Sequence, residues 1–221
     1  RDHCVTGSSD VCSSDLAGFP AGPLRFPGGV PVGGPARPDD PKAVERAVAE
    51  LLRALGLSAE TEPELAQTPA RVADLYREVL SGLDPATHPD LACFPHAGQG
   101  DLVVVRDLEF HSLCVHHMVP FFGRATIAYL PGDTLIGISA PARLLEVYSR
   151  RPQLQERLGQ QIADHLERLI RPRGVAVLIE ARHLCMEMRG IRRRGLVETR
   201  TVRGELADAR WSEALRFSPE R

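Results

Sequence analysis

Two short segments hold most of the residues in this chain that could do chemistry: Cys114-Val115-His116-His117 and His183-Leu184-Cys185. Cys114 and His117 are two residues apart, so one turn of chain can present both side chains to one metal. Cys185 lies far along the sequence, just past an apolar run, and is the natural third donor. Two thiolates and an imidazole suit zinc, and zinc with three protein ligands keeps a fourth position open. Water at such a position becomes a nucleophile near neutral pH. The pattern also permits a closed structural site with His116 or His183 as the fourth ligand. Left uncommitted, those two histidines suit proton transfer, because imidazole titrates near neutrality.

Several elements must position these groups. Asp40-Pro41 reads as a helix start. Val44, Val48, Leu51, Leu52 and Leu55 follow at helical spacing, and Gly56 ends the run. Thr68-Pro69 repeats the start signal for a second helix, with Val72, Leu75, Tyr76, Val79 and Leu80 on its apolar face, ending near Gly82. Residues 84–100 have loop composition. Strands are expected from Leu102 to Phe110 and from Arg124 to Leu130, the latter turned by Pro131-Gly132-Asp133. A short helix over Ala142–Tyr148 and a long amphipathic one over Pro152–Ile170 follow. The apolar run Val175–Ile179 reads as a buried strand leading to His183. A last strand over Val197–Arg203 and a short helix over 208–217 complete the chain. Helices, two strands, two helices and two strands favour an α+β fold.

Composition bounds the function. The chain has 221 residues, 43% hydrophobic and 25% charged, as in ordinary globular proteins. A net charge of -2 provides no basic field for nucleic acid. No apolar run is long enough to cross a bilayer, and the N-terminus shows no apolar secretory segment. The 5 cysteines are odd in number and irregularly spaced, which argues for metal binding in a reducing cytoplasm over a disulfide framework. Residues 1–38 read as a disordered tail rich in Gly and Pro. Within it, Asp10-Val11-Cys12-Ser13-Ser14-Asp15-Leu16 resembles a translated sequencing adapter, so residues 1–16 are set aside as an artefact. The expected organisation is that tail, an N-terminal helical region over 39–100 and a catalytic domain over 101–221.

From Phe110 to Gly204 the chain resembles GTP cyclohydrolase I. The likeness rests on His111-Ser112-Leu113-Cys114, His116-His117-Met118-Val119-Pro120-Phe121, Tyr129-Leu130-Pro131, Gly137-Ile138-Ser139, Arg151-Pro152-Gln153-Leu154-Gln155-Glu156-Arg157-Leu158, His183-Leu184-Cys185-Met186 and Met188-Arg189-Gly190. Thr68-Pro69-Ala70-Arg71-Val72-Ala73 is similar to the family's N-terminal helix. The resemblance implies the tunnelling fold, with antiparallel strands, helices on one side and N-terminal helices before them. It implies a homodecamer of two pentameric rings with sites between subunits, and Zn2+ on Cys114, His117 and Cys185. The implied reaction opens the imidazole ring of GTP with a zinc-activated water at C8, releases formate, and closes to 7,8-dihydroneopterin triphosphate, the first step toward tetrahydrofolate and related pterins. His183 would move protons at the ring nitrogens, and His116 would assist ring opening and sugar rearrangement. Glu156, with Gln155 beside it, would hold the guanine edge. Ser139, Arg143 and Arg189 would take the triphosphate, and Arg71 would reach in from a neighbouring subunit.

The chain departs from the family pattern at two positions. Val115 stands where the family has Glu, and Ala140 where it has Lys after the Ser of the Gly-x-Ser segment. Losing one hydrogen bond to a charged group costs about 1.5–3 kcal/mol. Arg200 is a candidate replacement cation. Two other readings remain: a paralogue acting on another purine nucleotide, and a non-catalytic zinc-containing ring protein.

Overall fold

The computed structural model describes residues 40, 42–96 and 101–216. The expected tail and the adapter-like stretch lie outside the described residues. Helix α1 spans Ala43–Ala54, and the Asp40 carboxylate accepts from the Lys42 N–H just before it. Gly56, at φ 76°, ends it in the left-handed region that glycine tolerates. Helix α2 spans Thr68–Val79, with Pro69 in its first turn, where no helical N–H is lost.

The region expected to be loop contains a strand. β1 (Cys93–Pro95) pairs antiparallel with β4 (Thr134–Ile136), which follows the turn after Leu130. Three-residue strands show too little alternation to be visible by periodicity. The main sheet has five strands in the order β5-β2-β3-β6-β7. These are β2 (Val103–Cys114), β3 (Pro120–Leu130), β5 (Pro152–Gln153), β6 (Gly174–His183) and β7 (Val197–Gly204). All neighbours are antiparallel except β5 on β2. β2 and β6 therefore run four residues beyond their expected ends, both toward the Cys and His segments. Helix α3 spans Ala140–Ser149 and α4 spans Gln155–Ile170. The expected C-terminal helix is a single 3-10 turn, Ala209–Trp211, within the described residues.

The strand alternation decides the layers. Phe121, Ala125, Ile127 and Tyr129 of β3 face α3 and α4 together with Val175, Val177 and Ile179 of β6, and they pack on Leu144, Leu158, Ile162 and Leu166. Ala128 and Leu130, on the opposite face, meet Ala176, Leu178, Leu206 and Leu215. The central strands are covered on both faces, which explains their continuous apolar runs. The architecture is α+β, with α3 and α4 on one side of an antiparallel sheet.

Two directions matter for function. β3 starts at Pro120 beside the metal-ligand segments and ends at Leu130, about 30 Å away at the usual strand rise. α4 starts at the Pro120 end and finishes near Leu130, where Arg173 N–H donates to the Leu130 carbonyl. Gly159 lets α4 lie close on β7, since a Cβ there would sit 2.9 Å from Thr201 Oγ1.

Candidate metal and active site

The turn between β2 and β3 presents the first ligand segment. Met118 N–H and His117 N–H both donate to the Cys114 carbonyl, and Cys114 N–H donates to Val119 O at 2.9 Å. Met118 takes φ 53°, a left-handed position that tightens the turn. Val115 N–H donates to Gln153 O, tying the turn to β5. The second segment follows directly from β6. His183 is its last residue, and the one-turn helix α5 (Leu184–Glu187) carries Cys185. A two-pronged bond from the Arg182 guanidinium to the Glu187 carboxylate, at 2.9 and 2.5 Å, closes α5 against the strand.

This folding brings Cys114, His117 and Cys185 together. One potential ligand atom from each lies within 4.8 Å of the others. Cys114 is buried, Cys185 is intermediate and His117 is exposed. Cys114 and Cys185 are free thiols. Burial pushes the Cys185 thiol above its ordinary pKa, and the neighbouring Cys114 pushes it further. A divalent cation reverses that balance, because it stabilises thiolates directly. The donor set therefore fits a thiophilic metal with three protein ligands.

Three further expected residues join this end of the sheet. His116 Nδ1 lies 3.7 Å from Cys114 Sγ. His183 Nε2 lies 2.8 Å from Gln155 Oε1, and its ring stacks on Phe121. Burial lowers the His183 pKa below the ordinary imidazole value, while the nearby Glu156 carboxylate opposes the shift. Glu156 is exposed in the first turn of α4, where a carboxylate also suits the helix dipole.

Gln155 has partners that its sequence position does not suggest. Its side chain is 2% exposed, and its amide nitrogen faces Ile179 O, Val197 O and Thr199 Oγ1. Its oxygen faces His183. Arg189 lies against the metal trio, with Nη1 2.5 Å from His117 Nε2. Phe121, the end of one matching stretch, and Thr199 were not given a role by sequence. Their signal was register across the sheet, which a single strand's pattern does not carry.

Other expected residues lie elsewhere in the same chain. Ser139 precedes α3 and Arg143 lies in its first turns, both exposed. The far end of α3 is the one near the metal segments, where Ser112 Oγ donates to Ser149 O at 2.6 Å. A ten-residue helix is about 15 Å long, so Ser139 stands about that far from Ser149. Arg71 is exposed near the start of α2, whereas the C-terminal part of that helix approaches α3 through Arg150 Nη1 and Glu78 O. Arg200, the candidate replacement cation, pairs with the exposed Glu198 on β7. Ala140 is buried and Val115 is exposed. A cleft of about 520 Å3 between α2, β2 and α3, lined by Glu78, Phe110, Leu145 and Arg150 among others, does not include the metal trio.

The chain is similar to known proteins over most of its length. The model of the GTP cyclohydrolase I family matches residues 44–217. GTP cyclohydrolase 1 of Streptomyces coelicolor is 47% identical over 172 residues, covering 76% of this chain and 85% of that protein. The enzyme of the same name from Streptococcus thermophilus is 47% identical over 165 residues, covering 74% and 88%. That of Thermobifida fusca is 43% identical over 178 residues, covering 79% and 85%. With its antiparallel sheet, one-sided helices and Cys-His-Cys trio, the chain belongs to the GTP cyclohydrolase I family of tunnelling-fold enzymes.

Proposed function

We propose that this chain is a zinc-dependent GTP cyclohydrolase I that converts GTP and water to 7,8-dihydroneopterin triphosphate and formate, at the entry to tetrahydrofolate and pterin synthesis. The observation that carries the reading is the Cys114–His117–Cys185 trio, with His116 and His183 at the same end of the sheet. When bound, zinc supplies Lewis acidity that makes water nucleophilic near neutral pH. Cys114, His117 and Cys185 hold it. His183, held in its plane by Phe121, handles the proton at the imidazole nitrogens of the purine. His116 accepts or donates a proton during ring opening and sugar rearrangement. The Glu156 carboxylate accepts the guanine N–H groups. Arg189 at the rim takes phosphate oxygens, as a guanidinium fork does well.

The remaining triphosphate residues point to a second copy of the chain. Ser139 stands at the end of α3 opposite Ser149, which suits a role for it, Arg143 and Arg71 at a GTP bound by a neighbouring subunit. Both outer strands favour such neighbours: β7 and the Val103–Ser112 part of β2 each pair on one side alone among the described residues. A homodecamer of two pentameric rings is the proposed assembly, and native mass spectrometry tests it. No helix among the described residues is long and apolar enough to cross a membrane. A cytoplasmic location is proposed because the trio needs reduced thiols.

The deciding experiment incubates zinc-loaded protein with GTP, GDP and GMP in turn, following formate and pterin fluorescence. Formate and pterin from GTP, both lost on chelation and restored by zinc, support the reading. Turnover of GDP or GMP alone moves the chain to the other-nucleotide alternative, which Ala140 favours by removing a cation. Absence of turnover on all three overturns catalysis.

A further inference from the structure

Gln155 is chemically over-determined. Ile179 O and Val197 O are carbonyl oxygens and can only accept hydrogen bonds. They lie 3.0 and 2.8 Å from one end of the Gln155 amide, with Thr199 Oγ1 at 3.2 Å. That end must therefore be the NH2 group, which removes the usual ambiguity between amide oxygen and nitrogen. The opposite end is the oxygen, and it too can only accept. His183 Nε2, 2.8 Å from it, must be the donor. In neutral imidazole only one nitrogen carries a proton, so Nδ1 keeps the lone pair. Stacking on Phe121 with the planes 3° apart sets the plane of the ring but not which edge faces which way. The Gln155 oxygen sets the edge.

We propose that Gln155 is a positioning residue that locks His183 in the Nε2–H form, so that Nδ1 is the nitrogen that exchanges protons with the substrate. The assignment of a rate to that nitrogen rests on the GTP cyclohydrolase reading; the tautomer itself does not. The anchors come from three elements. α4 supplies Gln155, β6 supplies Ile179 and His183, and β7 supplies Val197 and Thr199. Proton transfer thus depends on the docking of α4 across two strands. A Gln155 that instead gripped the guanine edge would have to give up its bonds to these carbonyls and to His183.

The two roles separate in kinetics. Gln155→Met keeps the volume and removes both polar ends. In the full-length, zinc-loaded protein a positioning role lowers kcat for GTP at least about tenfold, since general acid–base catalysis is worth that much or more. KM then stays within about threefold. A rise in KM with kcat retained overturns the proposal in favour of base binding. Zinc content and native mass are measured alongside, so that lost assembly is not read as lost positioning. Solid-state 15N spectra of histidine-labelled wild-type protein, with His183 assigned by its loss in His183→Gln, give the tautomer directly. A protonated Nε2 and an unprotonated Nδ1 support the proposal, and the reverse overturns it even where Gln155→Met fails to fold. If wild-type protein turns over no GTP, the functional reading falls while the spectrum still decides the tautomer.

Discussion

Phe121 and His183 lie face to face across β3 and β6, with ring centroids 4.7 Å apart and planes 3° from parallel. They are register partners at the end of the two strands, so the pairing of the sheet itself delivers the imidazole to the metal trio. Phe121 is fully buried and also meets Phe110 edge-on. It supports the site and the core together. Phe121→Leu removes the aromatic face and some volume. Aromatic pairs contribute about 0.5–1.5 kcal/mol beyond area, and large-to-small core changes add a cavity cost. The expected outcome is a loss of about 1–2 kcal/mol of stability in denaturant melts. A fall in kcat of up to about tenfold accompanies it. An unchanged kcat in the folded variant refutes the role of the stack.

Arg182 and Glu187 govern Cys185 without touching a metal. Their two-pronged bond closes α5, and the hydrogen bond from Arg182, with its charge, holds the Glu187 carboxyl below its ordinary pKa. Glu187→Ala frees the turn that carries Cys185. Outer-shell changes of this kind cost about 10–100-fold in metal affinity. Competition with a chromophoric chelator measures it. Equal zinc affinity in wild type and variant refutes the claim.

Glu156 is exposed and makes no contribution to the core, so its substitution separates binding from folding. Glu156→Gln keeps the shape and removes the charge. Hydrogen bonds to charged groups contribute about 1.5–3 kcal/mol, which corresponds to a KM for GTP raised roughly 10–100-fold. Thermal melts are expected to stay unchanged. A KM within twofold of wild type argues against Glu156 as the guanine anchor.

The buried Tyr148 and the partly buried His165 form a polar pair away from the site, with Tyr148 Oη 2.9 Å from His165 Nδ1. Burial lowers His165 to a pKa of about 4, and the charges of Arg168, His88 and Arg151 add to the shift. Burial raises Tyr148 to about 12, so the phenol stays protonated and can donate to the neutral imidazole. The unfolded chain takes up the His165 proton near 6.5, before the folded protein does. Stability from this group is therefore complete above about pH 6.5 and is lost as pH falls toward 4, by at most about 3 kcal/mol. Urea melts at pH 7 and pH 5 measure the loss. His165→Asn, which keeps an acceptor for the phenol but cannot be protonated there, is expected to flatten this acid limb. An equally steep limb in the variant refutes the assignment.

Much of this protein was legible in its sequence because the relevant signals are local. The helix start at Thr68, the apolar stripe of α4 and the alternation of β3 each depend on a few neighbouring residues, whereas α1 begins at Ala43, three residues past the expected cap at Asp40. The Cys114–His117 spacing is local too, and the motifs around it were specific enough to indicate the family. The short strands β1 and β4, the four added residues of β2 and the reduction of the last helix to one 3-10 turn were not legible. Pairing partners far along the chain decide where a strand begins and ends. Tertiary structure alone placed Cys185 beside Cys114 and stacked His183 on Phe121. It also turned Gln155 inward to two backbone carbonyls. It set Ser139 at the end of α3 opposite Ser149, whose end lies near the metal segments. Residue types determine what chemistry is available, and strand register and helix docking determine which groups lie close enough to share it.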